Sequence, residues 1–355
     1  MKEVIKQRIS TFAQLGKTMK ALAETDTWPG FSSGLNQEEF DSFRNLIETH
    51  FHSNGWFTPD NVRKSLLAWS DALSEANLTH WLGSYDIAEN SQPKKVAVIC
   101  AGNIPLVGLH DIITVLVTGN MAYVKLSSDD NKLIPSLIQI YENLNPDESG
   151  RVVFVDQKLT GHQAVIATGS NNTSRYFSYY FRDVPHVIRK SRTSVAILSG
   201  DESAEDLRLL GKDIFDYFGL GCRNVSKVYL PEGYDLNRIF EAIYEYNPVI
   251  NHNKYANNYD YNKAVWLLNR ENLLDNGFIL LKEDKRIASP TASLFYEFYR
   301  DISSLRNELN EHQEHLQCIV GKNDIPFGSS QRPQLWDYAD HVDTIKFLSE
   351  LQGAG

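Results

Sequence analysis

The chain has 355 residues, 42% of them hydrophobic, with 35 Lys and Arg against 45 Asp and Glu and a formal charge of −10. This length and apolar content suffice for a sizeable core and two domains and argue against wholesale disorder, while the acidic balance argues against a dedicated nucleic-acid binder, which concentrates basic residues. Three cysteines make no disulfide framework, the charged start MKEVIKQRIS lacks an apolar signal core, and no run approaches the roughly 18 apolar residues of a spanning helix; the expectation is a cytoplasmic α/β protein with no membrane span.

Residues 1–80 read as helical. Ile5, Ile9, Phe12, Leu15 and Met19 recur at helical spacing, Trp28-Pro29-Gly30 breaks the pattern, and Phe40, Phe43, Leu46, Ile47 and Phe51 resume it. Asn61 is placed to cap a further helix carrying Val62, Leu66, Leu67 and Trp69. From residue 94 the texture changes. Val96 to Ala101 is a short apolar run ending at Gly102, as suits a buried parallel strand. A helix from Leu106 to about Val117, a strand at 122–126, a helix at 132–144 and strands at 152–155, 165–167 and 194–198 follow. Short apolar strands alternating with helices predict a parallel sheet covered on both faces.

The second half repeats the theme. Ser203-Ala204-Glu205-Asp206 has capping-box form and opens a helix with Leu207, Leu210, Ile214 and Phe218 on one side, ended by Gly219-Leu220-Gly221. A strand at 225–230 and a helix at 236–246 come next, and the domain junction is placed near Gly200. Residues 251–262 (NHNKYANNYDYN) fit neither pattern. The charged segment 297–316 reads as a solvated helix, and Phe295, Tyr296, Phe298 and Tyr299 as core at helical spacing or as the lining of an acyl tunnel.

Cys222, in Phe218-Gly219-Leu220-Gly221-Cys222-Arg223-Asn224, falls at a helix-to-strand junction behind two glycines that admit close approach of backbone and substrate. A nucleophilic cysteine must be partly exposed and react as the thiolate, a charge Arg223 can help hold. The competing reading is a small buried hydrophobe, a common fate of free cysteine. Gly102-Asn103-Ile104-Pro105 follows the first strand, where open α/β sheets bind ligands; the Asn103 amide can donate to an oxyanion and Pro105 can start a helix. Taken alone, a turn with a helix cap explains those four residues more simply. Thr168-Gly169-Ser170-Asn171-Asn172-Thr173 can place backbone N–H groups and hydroxyls around a phosphate at a helix N-terminus, although neither G-x-G-x-x-G nor a Walker A sequence is present. His312-x-x-His315-x-x-Cys318 has one-face helical spacing, but H-E-x-x-H is absent and the surroundings are charged. No metal site is expected there or at His50-x-His52. Arg182, Arg189, Lys190 and Arg192 form the one local reversal of the acidic balance, able to meet phosphates or simply to be solvated.

The order of these pieces is more specific than any one of them: a strand and Gly-Asn-x-Pro, a strand and Lys-x-Ser, Thr-Gly-Ser at a helix start, then Gly-x-Gly-Cys before a strand. It resembles the aldehyde dehydrogenase superfamily, and within it the acyl-CoA reductase family that includes the fatty-acyl reductase of bacterial luminescence. The match runs from about Val96 to Leu230 and resumes in residues 326–333 (PFGSSQRP) and 337–344 (DYADHVDT). The resemblance implies an aldehyde-dehydrogenase-like α/β fold with two Rossmann-like parallel-sheet domains. Residues 1–199 would bind cofactor, with 1–80 as a helical N-terminal segment, residues 200–325 would be catalytic, and residues 326–355 would return to the first domain. It implies Cys222 as nucleophile, Asn103 as oxyanion donor, Lys125 with Ser127 and Ser128 at the adenosine ribose, and Gly169 with Ser170 at the cofactor pyrophosphate. Cys100, at a strand end, and Cys318, on the charged helix, are then structural. A reduced oligomerising hairpin is expected at 82–95, and self-assembly or assembly with acyl-transferring enzymes follows by analogy.

Two departures refine the activity that the resemblance implies. Ile188 falls where hydrolytic relatives carry a glutamate base, and no acidic residue lies between Asp183 and Asp201. Hydrolysing an acyl-enzyme needs an activated water, whereas exchange with coenzyme A does not. Ser128 replaces a ribose-binding glutamate, removing repulsion of a 2′-phosphate while Lys125 adds attraction, so NADPH is expected over NADH. The expected reaction is attack of the Cys222 thiolate on an acyl-CoA, with the oxyanion held by Asn103 and the Cys222 N–H, loss of coenzyme A, and reduction of the acyl-cysteine to an aldehyde. The alternatives are a coenzyme-A-independent aldehyde or acyl-phosphate reductase and a non-catalytic subunit serving acyl-transfer partners.

Overall fold

The helical spacing at the start of the chain becomes four helices, α1 (Glu3–Glu24), α2 (Gln37–Thr49), α3 (Pro59–Ala72) and α4 (Glu75–Gly83). Three of them start where a polar side chain takes an orphan amide: Asn36 forms a capping box with Glu39, Thr58 caps α3 ahead of Pro59, and Ser74 caps α4. Asn61 therefore lies inside the first turn of α3 rather than at its cap. The α1 stripe Ile5, Ile9, Phe12, Leu15, Met19 and Leu22 is buried. Among these apolar side chains Arg8 is buried too, its Nε and Nη2 donating to Glu148 Oε1 at 3.1 and 2.6 Å while the Tyr141 hydroxyl donates to Glu148 Oε2 at 2.9 Å. A buried ion pair is tolerated when its remaining donors and acceptors are met in this way.

The computed structural model describes residues 2–87 and 92–353. The chain divides into two units, Met1–Lys190 with Pro333–Gly355, and Ser191–Arg332. In the first, α4 is followed by β1 (Lys95–Ile99), α5 (Leu109–Val117), β2 (Met121–Lys125), α6 (Leu133–Leu144), β3 (Val152–Phe154), β4 (Ala164–Thr168), α7 (Asn171–Tyr180) and β5 (His186–Arg189). The sheet is parallel throughout, in the order β3-β2-β1-β4-β5, with Val98 of β1 opposite both Val124 and Ile166. The strand order reverses at β1 and β4, the switch point where such sheets take ligands beyond the carboxyl ends of their strands. β5 gives no apolar run in the sequence because it is a half-exposed edge strand carrying His186 and Arg189. α5 begins at Leu109 rather than Leu106, because Leu106 adopts a left-handed conformation with φ 63°. Of the segment 82–95, where a hairpin was expected, residues 88–91 lie outside the described residues; the described remainder is the end of α4, a bend and the start of β1.

The second unit contains β6 (Thr193–Ile197), α8 (Ala204–Phe215), β7 (Val225–Pro231), α9 (Asn237–Ala242), α10 (Asn253–Leu268), β8 (Leu274–Asp275), β9 (Leu280–Glu283), β10 (Ser293–Tyr299), α11 (Ile302–Glu311) and β11 (Leu316–Val320). Its sheet runs β11-β6-β7-β10-β9-β8, with only the edge strand β8 antiparallel. β6 pairs with β7 and β11, so the units divide between Lys190 and Ser191, whereas the sequence pattern placed β6 before a junction near Gly200. Gly200 is the left-handed residue of the turn that leaves β6. The Asn-rich stretch 251–262 belongs largely to α10, which His252 caps through its ring nitrogen. Segment 297–316 is not one helix: it is the end of β10, then α11, then the start of β11. Of the tail expected from residue 326, residues 326–332 stay with the second unit; Pro333–Gly355, with α12 (Thr344–Gly353), belongs to the first, where Ile345 and Leu348 share a core with Leu15 and Ile112.

Candidate functional site

α8 opens on the capping box of Ser203 and Asp206 and runs out at Phe215. The chain then turns toward β7 through three consecutive left-handed residues, Tyr217 (φ 53°), Phe218 (φ 59°) and Gly219 (φ 75°). For an L side chain that conformation costs about 1–2 kcal/mol, so two aromatic residues persist there only if neighbours hold them. Tyr217 is buried, and the Phe218 ring lies against the His252 ring with centroids 4.2 Å apart. Asn224 staples the turn: its Oδ1 accepts the Gly221 N–H at 2.8 Å, and its Nδ2 donates to the carbonyls of Asp213 and Asp216 at 3.0 and 2.8 Å. Cys222 sits inside this staple, half-buried and unbridged, with its carbonyl accepting the Ser194 hydroxyl at 3.0 Å. Arg223 Nε donates to the Ser330 carbonyl at 2.7 Å, and the buried Asp213 carboxylate accepts the N–H groups of Gly328 and Ser330. The 326–333 motif is thereby tied to the helix that delivers the cysteine.

The other cysteines differ. Cys100 is buried so closely that a Cβ on Gly108 would come within 2.3 Å of its sulfur. Burial, with Asp111 and Asp130 nearby, pushes its thiol well above the ordinary range, so it stays protonated and unreactive. Cys318 is on β11, not on a helix, beside an irregularity in the β11–β6 pairing; its Sγ lies 3.1 Å from the Ser194 Oγ and its N–H donates there at 3.2 Å.

In the first unit, Asn103 is exposed on the loop after β1, Lys125, Ser127 and Ser128 stand at and just beyond the end of β2, and Gly169 and Ser170 follow β4. The structure thus brings all six to the carboxyl edge of one sheet, around its switch point. Gly102 admits no side chain, since a Cβ there would lie 2.6 Å from Ser127, so the first two loops abut. Ser170 caps α7, its Oγ accepting the Thr173 N–H at 3.2 Å, and a Cβ on Gly169 would crowd Thr173 and Phe177 at 3.1 Å. An open helix start, a glycine without room for a side chain and an exposed lysine fit the phosphates and ribose of a dinucleotide. The basic cluster does not converge on such a ligand. Arg189 is buried against Asp111 at 2.5 Å, Arg182 lies over the Tyr179 ring, and Arg192 donates to the carbonyls of Gln313 and Leu316.

Asp130, Ser65, Ser194 and Asn224 carry no signal as single residues in the sequence; their roles arise from partners far along the chain or from a turn no pattern shows. The Leu106 N–H donates to Asp130 Oδ2 at 2.8 Å and Ser65 Oγ donates to the Pro105 carbonyl at 2.9 Å, clamping the turn behind Asn103. Burial pushes the Asp130 carboxyl up to about 6, against the downward pull of the Leu106 and Leu133 N–H groups. With the folded pKa above the unfolded one, the native state holds this proton more tightly. Its stabilising contribution is complete below about pH 4 and is lost as pH rises through 6, about 3 kcal/mol at most. Asp130→Asn, which keeps an acceptor and removes the charge, is expected to raise the thermal midpoint at pH 7.5 and leave it nearly unchanged at pH 4; equal shifts at both values would contradict this.

No protein-family model matches the chain. It is 28% identical over 305 residues to a long-chain acyl-protein thioester reductase of Aliivibrio fischeri, a match covering 78% of this chain and 60% of the relative's length. Solved structures sharing the fold include aldehyde dehydrogenase 21 of Physcomitrella patens with succinate (TM-score 0.65, 11% identity, 98% of this chain and 84% of that one). The NADP complex of a glyceraldehyde-3-phosphate dehydrogenase from Bacillus halodurans is another (TM-score 0.55, 14% identity, 89% and 73%). An NAD+ complex of an aldehyde dehydrogenase from Mycobacterium tuberculosis is a third (TM-score 0.57, 14% identity, 86% and 71%). Among the described residues no helix is long and apolar enough to cross a membrane, and no group of three or more His, Cys, Asp or Glu is placed to hold a metal. The chain thus shares the fold of aldehyde dehydrogenases and is similar in sequence to a long-chain acyl-protein thioester reductase, in keeping with the resemblance of its motif order.

Proposed function

We propose that the chain reduces an acyl thioester, acyl-CoA in the first instance, to an aldehyde through an acyl-cysteine on Cys222. The observation that carries this reading is the half-buried Cys222 thiol on a backbone pinned from both sides by Asn224 and Ser194, in a chain related to a thioester reductase. The Cys222 thiolate adds to the thioester carbonyl, the Asn103 carboxamide and the Cys222 N–H serve the oxyanion, and the thiol leaves. A nicotinamide cofactor, which Lys125, Ser127, Ser128, Gly169 and Ser170 would hold, would supply the hydride. The thiohemiacetal on Cys222 then collapses, releasing the aldehyde. β5 carries Ile188 and no acidic residue, which supports acyl exchange over hydrolysis.

NADPH is the proposed cofactor because Lys125 is an exposed cation with no ion pair among the described residues and residue 128 is uncharged. Ser128→Glu is expected to lower kcat/KM with NADPH about tenfold and to spare NADH. An equal loss with both cofactors would remove Ser128 from the ribose site. The relative's name favours a second donor, a thioester carried on a protein. Aldehyde formation by the purified chain from acyl-CoA, a protein-bound acyl thioester, acyl phosphate and, as oxidation, from free aldehyde separates these readings. Turnover of acyl phosphate alone would reject the thioester reaction. Absence of both acylation and NADPH binding would leave a non-catalytic subunit that serves acyl-transfer partners or assembles with itself.

A further inference from the structure

We propose that Asp130 is a positioning residue through which the cofactor loop sets the direction of the Asn103 carboxamide. The inference rests on the oxyanion role given to Asn103 above. The segment Asn103-Ile104-Pro105-Leu106 has little freedom of its own: Pro105 has a fixed φ, Ile104 is restricted by the proline after it, and Leu106 is held left-handed at φ 63°. A fully buried leucine adopts that conformation only under constraint. The constraint comes from two side chains outside the turn, Ser65 on the Pro105 carbonyl and Asp130 on the Leu106 N–H.

Asp130 belongs to the loop that holds Ser127 and Ser128. Its own N–H donates to the Ser127 carbonyl at 3.3 Å, the Asp129 N–H donates to Ser127 Oγ at 3.2 Å, and Asn54 Nδ2 donates to the Asp129 carbonyl at 3.4 Å. Gly102, directly before Asn103, packs against Ser127. A ligand that settles Ser127 and Ser128 therefore settles Asp130 and, through it, Leu106. The carboxylate is only 1% exposed and its Oδ1 has no hydrogen-bond partner among the described residues. Burying an oxygen without a partner is costly, so a group with only a packing role would be better apolar. What Asp130 offers is an acceptor that reaches out of its own loop to the Leu106 amide, besides the Leu133 N–H of the helix that follows it.

The test compares wild type, Asp130→Asn, Asp130→Ala, Asn103→Ala and the Asp130→Ala/Asn103→Ala double variant, each confirmed folded by thermal unfolding. The readouts are single-turnover acylation of Cys222 by radiolabelled acyl-CoA, with and without NADP+, and amide hydrogen exchange of residues 102–106 with and without NADP+. Asp130→Ala is expected to slow acylation roughly tenfold to a hundredfold, to add no loss in the Asn103→Ala background, and to abolish the protection that NADP+ confers on 102–106. Asp130→Asn keeps an acceptor and is expected to restore both. Additive losses in the double variant, an Asn variant as slow as the Ala variant, or protection of 102–106 independent of Asp130 would each overturn the proposal. If wild type is not acylated at all, the thioester reading fails, while the exchange measurement still decides whether Asp130 links the two loops.

Discussion

Cys222→Ser will not take up a radiolabelled acyl group from acyl-CoA, and its rate of aldehyde formation will fall by at least about a thousandfold. The hydroxyl that replaces the thiol is not ionised near neutral pH and is a far weaker nucleophile than a thiolate, so the first covalent step is lost rather than slowed modestly. The variant should fold. The bonds that pin the turn run to backbone groups, from Ser194 to the carbonyl of residue 222 and from the Gly221 N–H to Asn224, and a serine keeps both. Cys100→Ser and Cys318→Ser are the matching controls. Cys100 is enclosed and held protonated, and Cys318 lies on β11 with β6 between it and β7. Both variants should label at the wild-type stoichiometry. A hydroxylamine-labile label that persists in Cys222→Ser, or one that disappears in Cys318→Ser alone, would move the nucleophile elsewhere.

What the sequence shows of this site follows from where the determining contacts lie. The α8 start was legible because a capping box is local, and the β7 start because five of its first six residues are buried and the run is continuous. The turn between them was not. Tyr217 and Phe218 give no warning of left-handed backbone; Asn224 holds the turn through bonds that follow no residue pattern, and His252 packs on it from more than thirty residues away. β10 was hidden for an electrostatic reason. Glu297 made the segment look solvated, but the fully buried Lys227 of β7 reaches it at 2.6 Å, so a charge that reads as surface is part of an internal pair. The same logic misdirected Arg189. In sequence it stands with Arg182, Lys190 and Arg192 as a cluster able to meet phosphates or to be solvated, and only the approach of α5 to β5 shows that its charge is already matched. Loop residues at strand ends fared better. Parallel strands deliver their carboxyl ends to one edge, so the loops of Asn103 and Gly169 could be set there once the alternation of strand and helix was recognised, whereas Lys125 entered only through the resemblance.

Arg189→Met should destabilise the protein by about 3–5 kcal/mol, the cost of leaving a buried carboxylate without its partner. The two side chains of the pair are 7% and 5% exposed, and Nη1 lies 2.5 Å from Asp111 Oδ2. Asp111 Oδ1 has no hydrogen-bond partner among the described residues, so the carboxylate has no spare bond to fall back on. Its place in the first turn of α5, near the positive end of the helix dipole, offsets only part of the loss. Replacing both partners removes the stranded charge, and Asp111→Leu with Arg189→Met should recover most of the stability. Arg182→Ala, at an exposed pair with Asp183, should change it by no more than about 0.5 kcal/mol. Denaturant unfolding followed by circular dichroism measures all four proteins on one scale. The rival role for Arg189, a contact to cofactor or coenzyme A phosphate, makes the opposite prediction: weakened ligand binding at an unchanged unfolding midpoint. Because α5 continues directly from the Asn103 loop, the same variant should also loosen that loop. Faster amide exchange at residues 102–106 in Arg189→Met, reversed in the double variant, would tie the stability of the pair to the geometry of the site.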